Sequence, residues 1–137
     1  MAGLANRMGF CFPKGNVGFI TLLNYGQERP LRETVLTLAH ELGHSLGAVH
    51  DEDKGCGSNF IMTSTTSSSD LLQQSEFSSC SLSDIKANLD LVTGAPSFNC
   101  LQGGDMLPLV VSQLSQGPLW HPHSFYTYIA IVVVFLV

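Results

Sequence analysis

Positive charge is scarce in this chain: six Lys and Arg stand against eleven Asp and Glu in 137 residues, a net charge of −5, and the cations form no cluster. That leaves no electrostatic footprint for nucleic acid, and a nucleic-acid partner is set aside. Charged residues make up 12% of the chain and apolar ones 45%, a balance that belongs to a folded or membrane-associated chain and not to a disordered one. The cysteines are Cys11, Cys56, Cys80 and Cys100, far apart and without a C-x-x-C pair. This argues against a zinc ribbon or a thioredoxin-type redox site and leaves three disulfide pairings open. No internal repeat is visible. Met1 to Pro13 lacks a basic start, an unbroken apolar stretch and a cleavage pattern, so it does not read as a signal peptide. Met106 to Val137 contains no Asp, Glu, Lys, Arg or Cys, and its apolar end, Tyr128 to Val137, is shorter than the roughly 20 residues of a membrane helix.

What is present is concentrated in twelve residues. His40-Glu41-Leu42-Gly43-His44-Ser45-Leu46-Gly47-Ala48-Val49-His50-Asp51 has the form H-E-x-x-H-x-x-G-x-x-H followed by Asp, a pattern suited to metal-assisted hydrolysis. At roughly 100° per residue, histidines four apart lie one turn apart on one helix face and can grip one ion together. A catalytic zinc takes about three protein ligands and keeps a position open, so a third donor is needed from beyond the helix. Gly47 can adopt a positive φ, end the helix and turn His50 back toward the ion. Glu41, adjacent to the first ligand, is then placed to act as general base on a zinc-activated water. Val35, Leu38, Ala39, Leu42 and Leu46 recur at helical spacing on the opposite face and predict a core behind the site. A closed structural zinc site would ordinarily have a fourth Cys or His, and no cysteine falls in this cluster.

His40 to Asp51 resembles the zinc signature of the metzincin metalloproteases, and the Asp after the third histidine resembles the adamalysin, or ADAM, branch. Asn59-Phe60-Ile61-Met62 is similar to that family's Met-turn, which places Met62 as an apolar floor beneath the ligands. Gly3-Leu4-Ala5 and Gly9-Phe10-Cys11 resemble the edge-strand region lining the substrate cleft, and Val17 to Gly26 the next strand. Phe77-Ser78-Ser79-Cys80-Ser81 is similar to the start of the domain's last helix. The Asn24-Tyr25-Gly26 turn and the short loop after Asp51 look most like the branch of alpha-secretase and tumour necrosis factor-converting enzyme. The resemblance covers about residues 3 to 101. It implies a zinc metalloendopeptidase with His40, His44 and His50 as metal ligands and Glu41 as the catalytic base. It also implies disulfides Cys56–Cys80 and Cys11–Cys100, a protein or peptide substrate held on the Gly3 to Gly9 backbone, and a secretory, extracellular or cell-surface location.

The expected fold is α/β (α+β): residues 1–102 as a partial catalytic domain with a remnant mixed sheet, the active-site helix, the Met-turn and a C-terminal helix, and 103–137 as a non-domain tail. Val17 to Asn24 reads as a mostly buried strand. Leu82, Ile85 and Leu89 predict a helix capped by Ser81 or Ser83. Thr63 to Ser69 reads as a solvated Ser/Thr loop, and His121-Pro122-His123 as a loop instead of a metal pair. Asp51-Glu52-Asp53 lacks calcium-loop spacing, so Asp51 is assigned structural hydrogen bonds. The earlier strands and helices of a complete metzincin domain do not precede Gly3 here. The rival to the enzyme is therefore a truncated, catalytically inactive fragment that binds zinc, a partner or a membrane. The apolar end of the tail is a marginal membrane anchor, a β-prone segment or non-domain sequence.

Overall fold

The computed structural model describes residues 3–12, 15–24, 27–64, 75–95, 99–101, 110–113 and 130–134, the last two segments as backbone. Four short strands come first: β1 (Gly3–Ala5), β2 (Val17–Thr21) and a two-residue ladder of β3 (Leu23–Asn24) with β4 (Gln27–Glu28). Helix α1 (Leu31–Ser45) follows, then a 3-10 turn (Asp51–Lys54), α2 (Ser79–Gly94), β5 (Val110–Gln113) and β6 (Ala130–Val134).

The main sheet runs β1-β2-β6-β5. Gly3 faces Ile20 and Ala5 faces Gly18 across the first ladder, Ile20 faces Ile131 across the second, and Val111 faces Val133 across the third. All of these pairings are antiparallel, where the sequence predicts a mixed sheet. The inner neighbour of β2 is β6, and β6 runs against it. The two strands beyond residue 102 thus continue the sheet on the side of β2 away from β1, and β1 is left as an edge. Among the described residues no helix is long and apolar enough to cross a membrane. His121 and His123 lie outside the described residues, as do Phe125 to Tyr128.

The strand predicted over Val17 to Asn24 breaks at Leu22, and its burial alternates. Gly18 and Ile20 are buried while Val17 and Phe19 are exposed, which is the signature of a sheet covered on one face only. Pro30 opens α1 from extended backbone at ψ 139°, a position where its missing N–H costs nothing. An ion pair of 2.8 Å between Arg29 and Glu33 closes the first turn.

Burial on α1 extends well beyond the face its apolar spacing predicts, which is itself only partly covered. The helix's buried residues are Thr37, His40, Glu41, Gly43 and Ser45, whereas Leu31 is 78% and Val35 55% exposed, and Leu38, Ala39, Leu42 and Leu46 are half-buried. The polar face is buried because β1, the loop after it and the Ile61-Met62 turn pack there. Ala48, Ile61 and Met62 form the buried cluster, with Leu36, Ala39, Phe77 and Ile85 packed against it.

Helix α2 begins at Ser79 and is capped by Ser78, whose Oγ accepts the Ser81 N–H at 3.0 Å. The cap is therefore three residues earlier than the Ser81 suggested by apolar spacing. The reason is a long-range one: the hydroxyls of Ser78 and Ser81 both donate to Oδ1 of the buried Asp51, Ser81 at 2.8 Å. Disulfides join Cys56 to Cys80 and Cys11 to Cys100. The first ties the turn after His50 to the first turn of α2, beside the Lys54–Asp84 ion pair. The second ties the loop after β1 to the segment after α2.

Candidate metal centre

Helix α1 presents His40 and His44 one turn apart and then stops. Gly47 takes φ +107°, its N–H bonds the carbonyl of His44 at 2.9 Å, and the Ala48 N–H bonds the carbonyl of Gly43 at 2.9 Å. This pair of bonds is the Schellman motif, which closes a helix and reverses the chain. The reversal brings His50 back, so that His40, His44 and His50 each offer a ring nitrogen, all within 4.8 Å of one another. The loop after β1 also reaches the helix end: the Met8 N–H donates to the same His44 oxygen at 3.0 Å and the Phe10 N–H to that of Ser45 at 3.1 Å. The loop after β1 is thereby stitched to the end of α1.

The imidazoles are oriented from behind. His40 Nδ1 lies 2.7 Å from the carbonyl of Ile61, and His44 Nδ1 lies 2.9 Å from that of Ala48. A carbonyl only accepts, so each Nδ1 carries the proton and each Nε2 keeps its lone pair. The Nε2 atoms of His44 and His50 are 3.2 Å apart. Two nitrogens bound tetrahedrally at about 2.05 Å from one ion would lie about 3.3 Å apart. The donor set therefore fits a small tetrahedral cation with one coordination position left over.

Burial sets the protonation of the site. Desolvation lowers His40 from 6.5 to about 4, with His44, His50 and the chain's N-terminus adding in the same direction and the Ile61 carbonyl opposing. His44 is lowered too, chiefly by burial, with the Ala48 carbonyl opposing and His50 and Arg7 reinforcing. Both rings are neutral at physiological pH, the form a metal ligand requires. Glu41 moves the other way, from 4.5 to about 7, because burial disfavours its charge; the N-terminus and the Ala5 N–H hydrogen bond oppose that rise. Its Oε2 is buried without a hydrogen-bond partner among the described residues. A carboxylate poised near neutrality is suited to taking up and releasing a proton.

Met62 is fully buried under the helix, against Gly43, where an added Cβ would lie 2.4 Å from its sulfur. The Met62 carbonyl accepts the Asp51 N–H at 3.1 Å, so this turn touches both the helix and the segment carrying His50. Asp51 is 1% exposed. Thr63, predicted to open a solvated loop, is buried instead, held in the same turn by the Phe60 carbonyl at 3.2 Å. Ser64 is exposed and residues 65–69 lie outside the described residues. Three features of the site are not apparent from sequence: the Ile61 and Ala48 carbonyls behind the histidines, the Ser78–Ser81 seat of Asp51, and the contact of Glu41 with β1. The Asp51 seat has a sequence trace in the serines at 78 and 81. The others are backbone groups and leave none.

Comparison with known proteins places this geometry in a lineage. Residues 1–90 match the family described as metallo-peptidase family M12B, reprolysin-like. The chain is 40% identical over 89 residues to the disintegrin and metalloproteinase domain-containing protein 10 homolog of Caenorhabditis elegans, covering 61% of this chain and 10% of that protein. It is 34% identical over 87 residues to disintegrin and metalloproteinase domain-containing protein 10 of Homo sapiens, covering 55% of this chain and 12% of that protein. With a zinc metalloproteinase/disintegrin of Bitis gabonica the identity is 36% over 91 residues, 64% of this chain and 26% of the other. The chain thus spans about a tenth of the length of the first curated relatives it matches. The match extends across the three histidines and the cap of α2 as far as Asp90, and by it the chain belongs to the reprolysin-like, or ADAM/adamalysin, family of metzincin metallopeptidases.

Proposed function

We propose that this chain carries the peptide-cleaving centre of a zinc metalloendopeptidase, with His40, His44 and His50 as ligands, Glu41 as the catalytic base and Met62 as the floor of the site. The observation that carries the reading is the convergence of three imidazole nitrogens within 4.8 Å, with two of the three rings fixed through Nδ1 on backbone carbonyls. Three imidazole nitrogens with an open position favour zinc over calcium or magnesium, which take oxygen ligands. When bound, the ion supplies Lewis acidity at the scissile carbonyl and acidifies water. Glu41 does the proton work: its carboxylate takes a proton from the attacking water and delivers it to the leaving amine nitrogen. The burial that raises its pKa to about 7 makes both halves of that transfer accessible near neutral pH. The free edge of β1 is suited to hold an extended peptide by strand addition, with main-chain hydrogen bonds independent of the peptide's sequence. Two disulfides support an extracellular, secretory or cell-surface location.

Purified chain is tested for zinc content and for cleavage of a quenched peptide, with chelator and with Glu41→Ala. Cleavage that requires both the ion and Glu41 supports the reading, and zinc-replete chain without cleavage sinks it. The second reading, a non-catalytic fragment that binds zinc, a partner or a membrane, draws on the exposed apolar face of α1 at Leu31 and Val35. It expects zinc binding without turnover in the same experiment.

A further inference from the structure

Gly3 occupies the strand β1 in ordinary extended register, opposite Ile20, and it is not among the glycines with positive φ. Nothing in the backbone there demands glycine. What the position cannot hold is a side chain: a Cβ built on Gly3 would lie 2.6 Å from Oε1, 2.7 Å from Cγ and 2.9 Å from Cδ of Glu41. All three nearest atoms belong to that one residue. Two residues on, the Ala5 N–H donates to the same carboxylate. The Glu41 side chain therefore lies against β1, its stem and Oε1 over the bare Cα of Gly3, with the Ala5 N–H donating to the carboxylate.

We infer that Gly3 is a positioning residue for Glu41: the missing Cβ is the slot in which the carboxylate lies, and β1 sets the direction of the base as well as offering an edge to substrate. The inference rests on the assignment of Glu41 as the base. A methyl group at position 3 first meets the side chain of Glu41 and no backbone among its three nearest atoms, so the carboxylate moves before the strand does. This separates Gly3 from Gly43, whose contacts are with the buried Met62 and Phe77. A displacement of about 1 Å in a proton-transferring group costs on the order of 100-fold in rate, while peptide binding along the β1 edge needs only backbone.

The test uses the full chain with Gly3→Ala, Glu41→Ala and the double variant. Without zinc, Gly3→Ala shifts the Ala5 amide resonance toward its position in Glu41→Ala and lowers the melting temperature. In the double variant that melting-temperature loss disappears, because the atoms in the way are gone. With zinc, Gly3→Ala lowers kcat by 10- to 100-fold, leaves KM within two-fold and leaves zinc content unchanged. An unmoved Ala5 amide, or equal melting-temperature losses from Gly3→Ala with and without the Glu41 side chain, overturns the proposal. So does a rise in KM at unchanged kcat, which would make Gly3 a substrate contact alone. Should the parent chain cleave no peptide, the enzyme reading fails while the amide shift and the melting cycle still decide the role of Gly3.

Discussion

Gly43 of α1 faces Met62 across the floor of the site so closely that a single added carbon would sit 2.4 Å from the sulfur and 2.9 Å from the Phe77 ring. Helix and Met-turn are packed without a methyl group's tolerance, and the Ile61 carbonyl next door orients His40. Gly43→Ala gains about 1 kcal/mol of helix propensity but forces Met62, which is fully buried, out of its place at a cost of about 1–3 kcal/mol. The expected net is a destabilisation of about 1 kcal/mol with weaker zinc binding, since moving the turn moves the His40 acceptor. Thermal melts with zinc and with chelator check both parts; a gain in stability with zinc affinity retained would contradict the close packing.

How far the centre is legible from sequence follows from the range of the interactions that build it. His40, His44 and the Gly47 reversal are local, so spacing alone specifies them. The extent of burial on α1 is not local: of the apolar stripe at Val35, Leu38, Ala39, Leu42 and Leu46, Ala39 packs on the Ile61-Met62 cluster and Val35 is exposed, while Thr37, Glu41 and Ser45 are buried because β1 and the loop after it also cover α1. The cap of α2 shows the same division. A serine-rich run offers several hydroxyls, and the choice of Ser78 is made by Asp51, 27 residues away. The family resemblance starts the helix at the right place because it carries that long-range information, which periodicity lacks.

Two groups in the metal-free site titrate in opposite senses and hide each other. His40 is neutral when folded down to about pH 4 and titrates at 6.5 when unfolded, so between those values the unfolded chain binds the extra proton and stability rises with pH. Glu41 holds its proton when folded up to about pH 7 and loses it at 4.5 when unfolded, so its contribution falls with rising pH across 4.5 to 7. The two slopes, each at most about 1.4 kcal/mol per pH unit, oppose across most of that range, with the lowered His44 reinforcing His40. Glu41→Gln removes one of them. In chelator, the variant's stability rises more steeply from pH 4.5 to 6.5 than the parent's, as denaturant titrations at a series of pH values would register. Parallel profiles would mean that Glu41 is not buried as a neutral acid.

Asp51 links the loop bearing His50 to α2 through one oxygen shared by Ser78 and Ser81. Asp51→Ala strands two buried hydroxyls and is expected to cost about 2 kcal/mol, whereas Ser78→Ala removes the helix cap for about 1 kcal/mol. Because the groups form one network, the double variant costs less than the sum of the two. Asp51→Ala also weakens zinc binding by freeing the backbone beside His50. Strict additivity in denaturant melts, or undiminished zinc affinity, would show the loop to be held by other contacts.

The Cys56–Cys80 bridge spans 24 residues of sequence and encloses the Met-turn, so it restricts the unfolded chain and confines the same segment that presents the floor of the site. Chain-entropy reasoning gives about 3 kcal/mol for a loop of this length, a large fraction of the few kcal/mol by which a small domain is stable. Replacing both cysteines by alanine should therefore leave a chain that folds only when zinc is supplied: at a free zinc concentration 100-fold above its dissociation constant, binding returns about 2.7 kcal/mol. Circular dichroism and zinc titration of the variant follow this directly, with folding signal and metal uptake rising together. A variant that is folded before zinc is added would locate the stabilising contacts outside this loop, and the Lys54–Asp84 pair beside the bridge would be the next to remove.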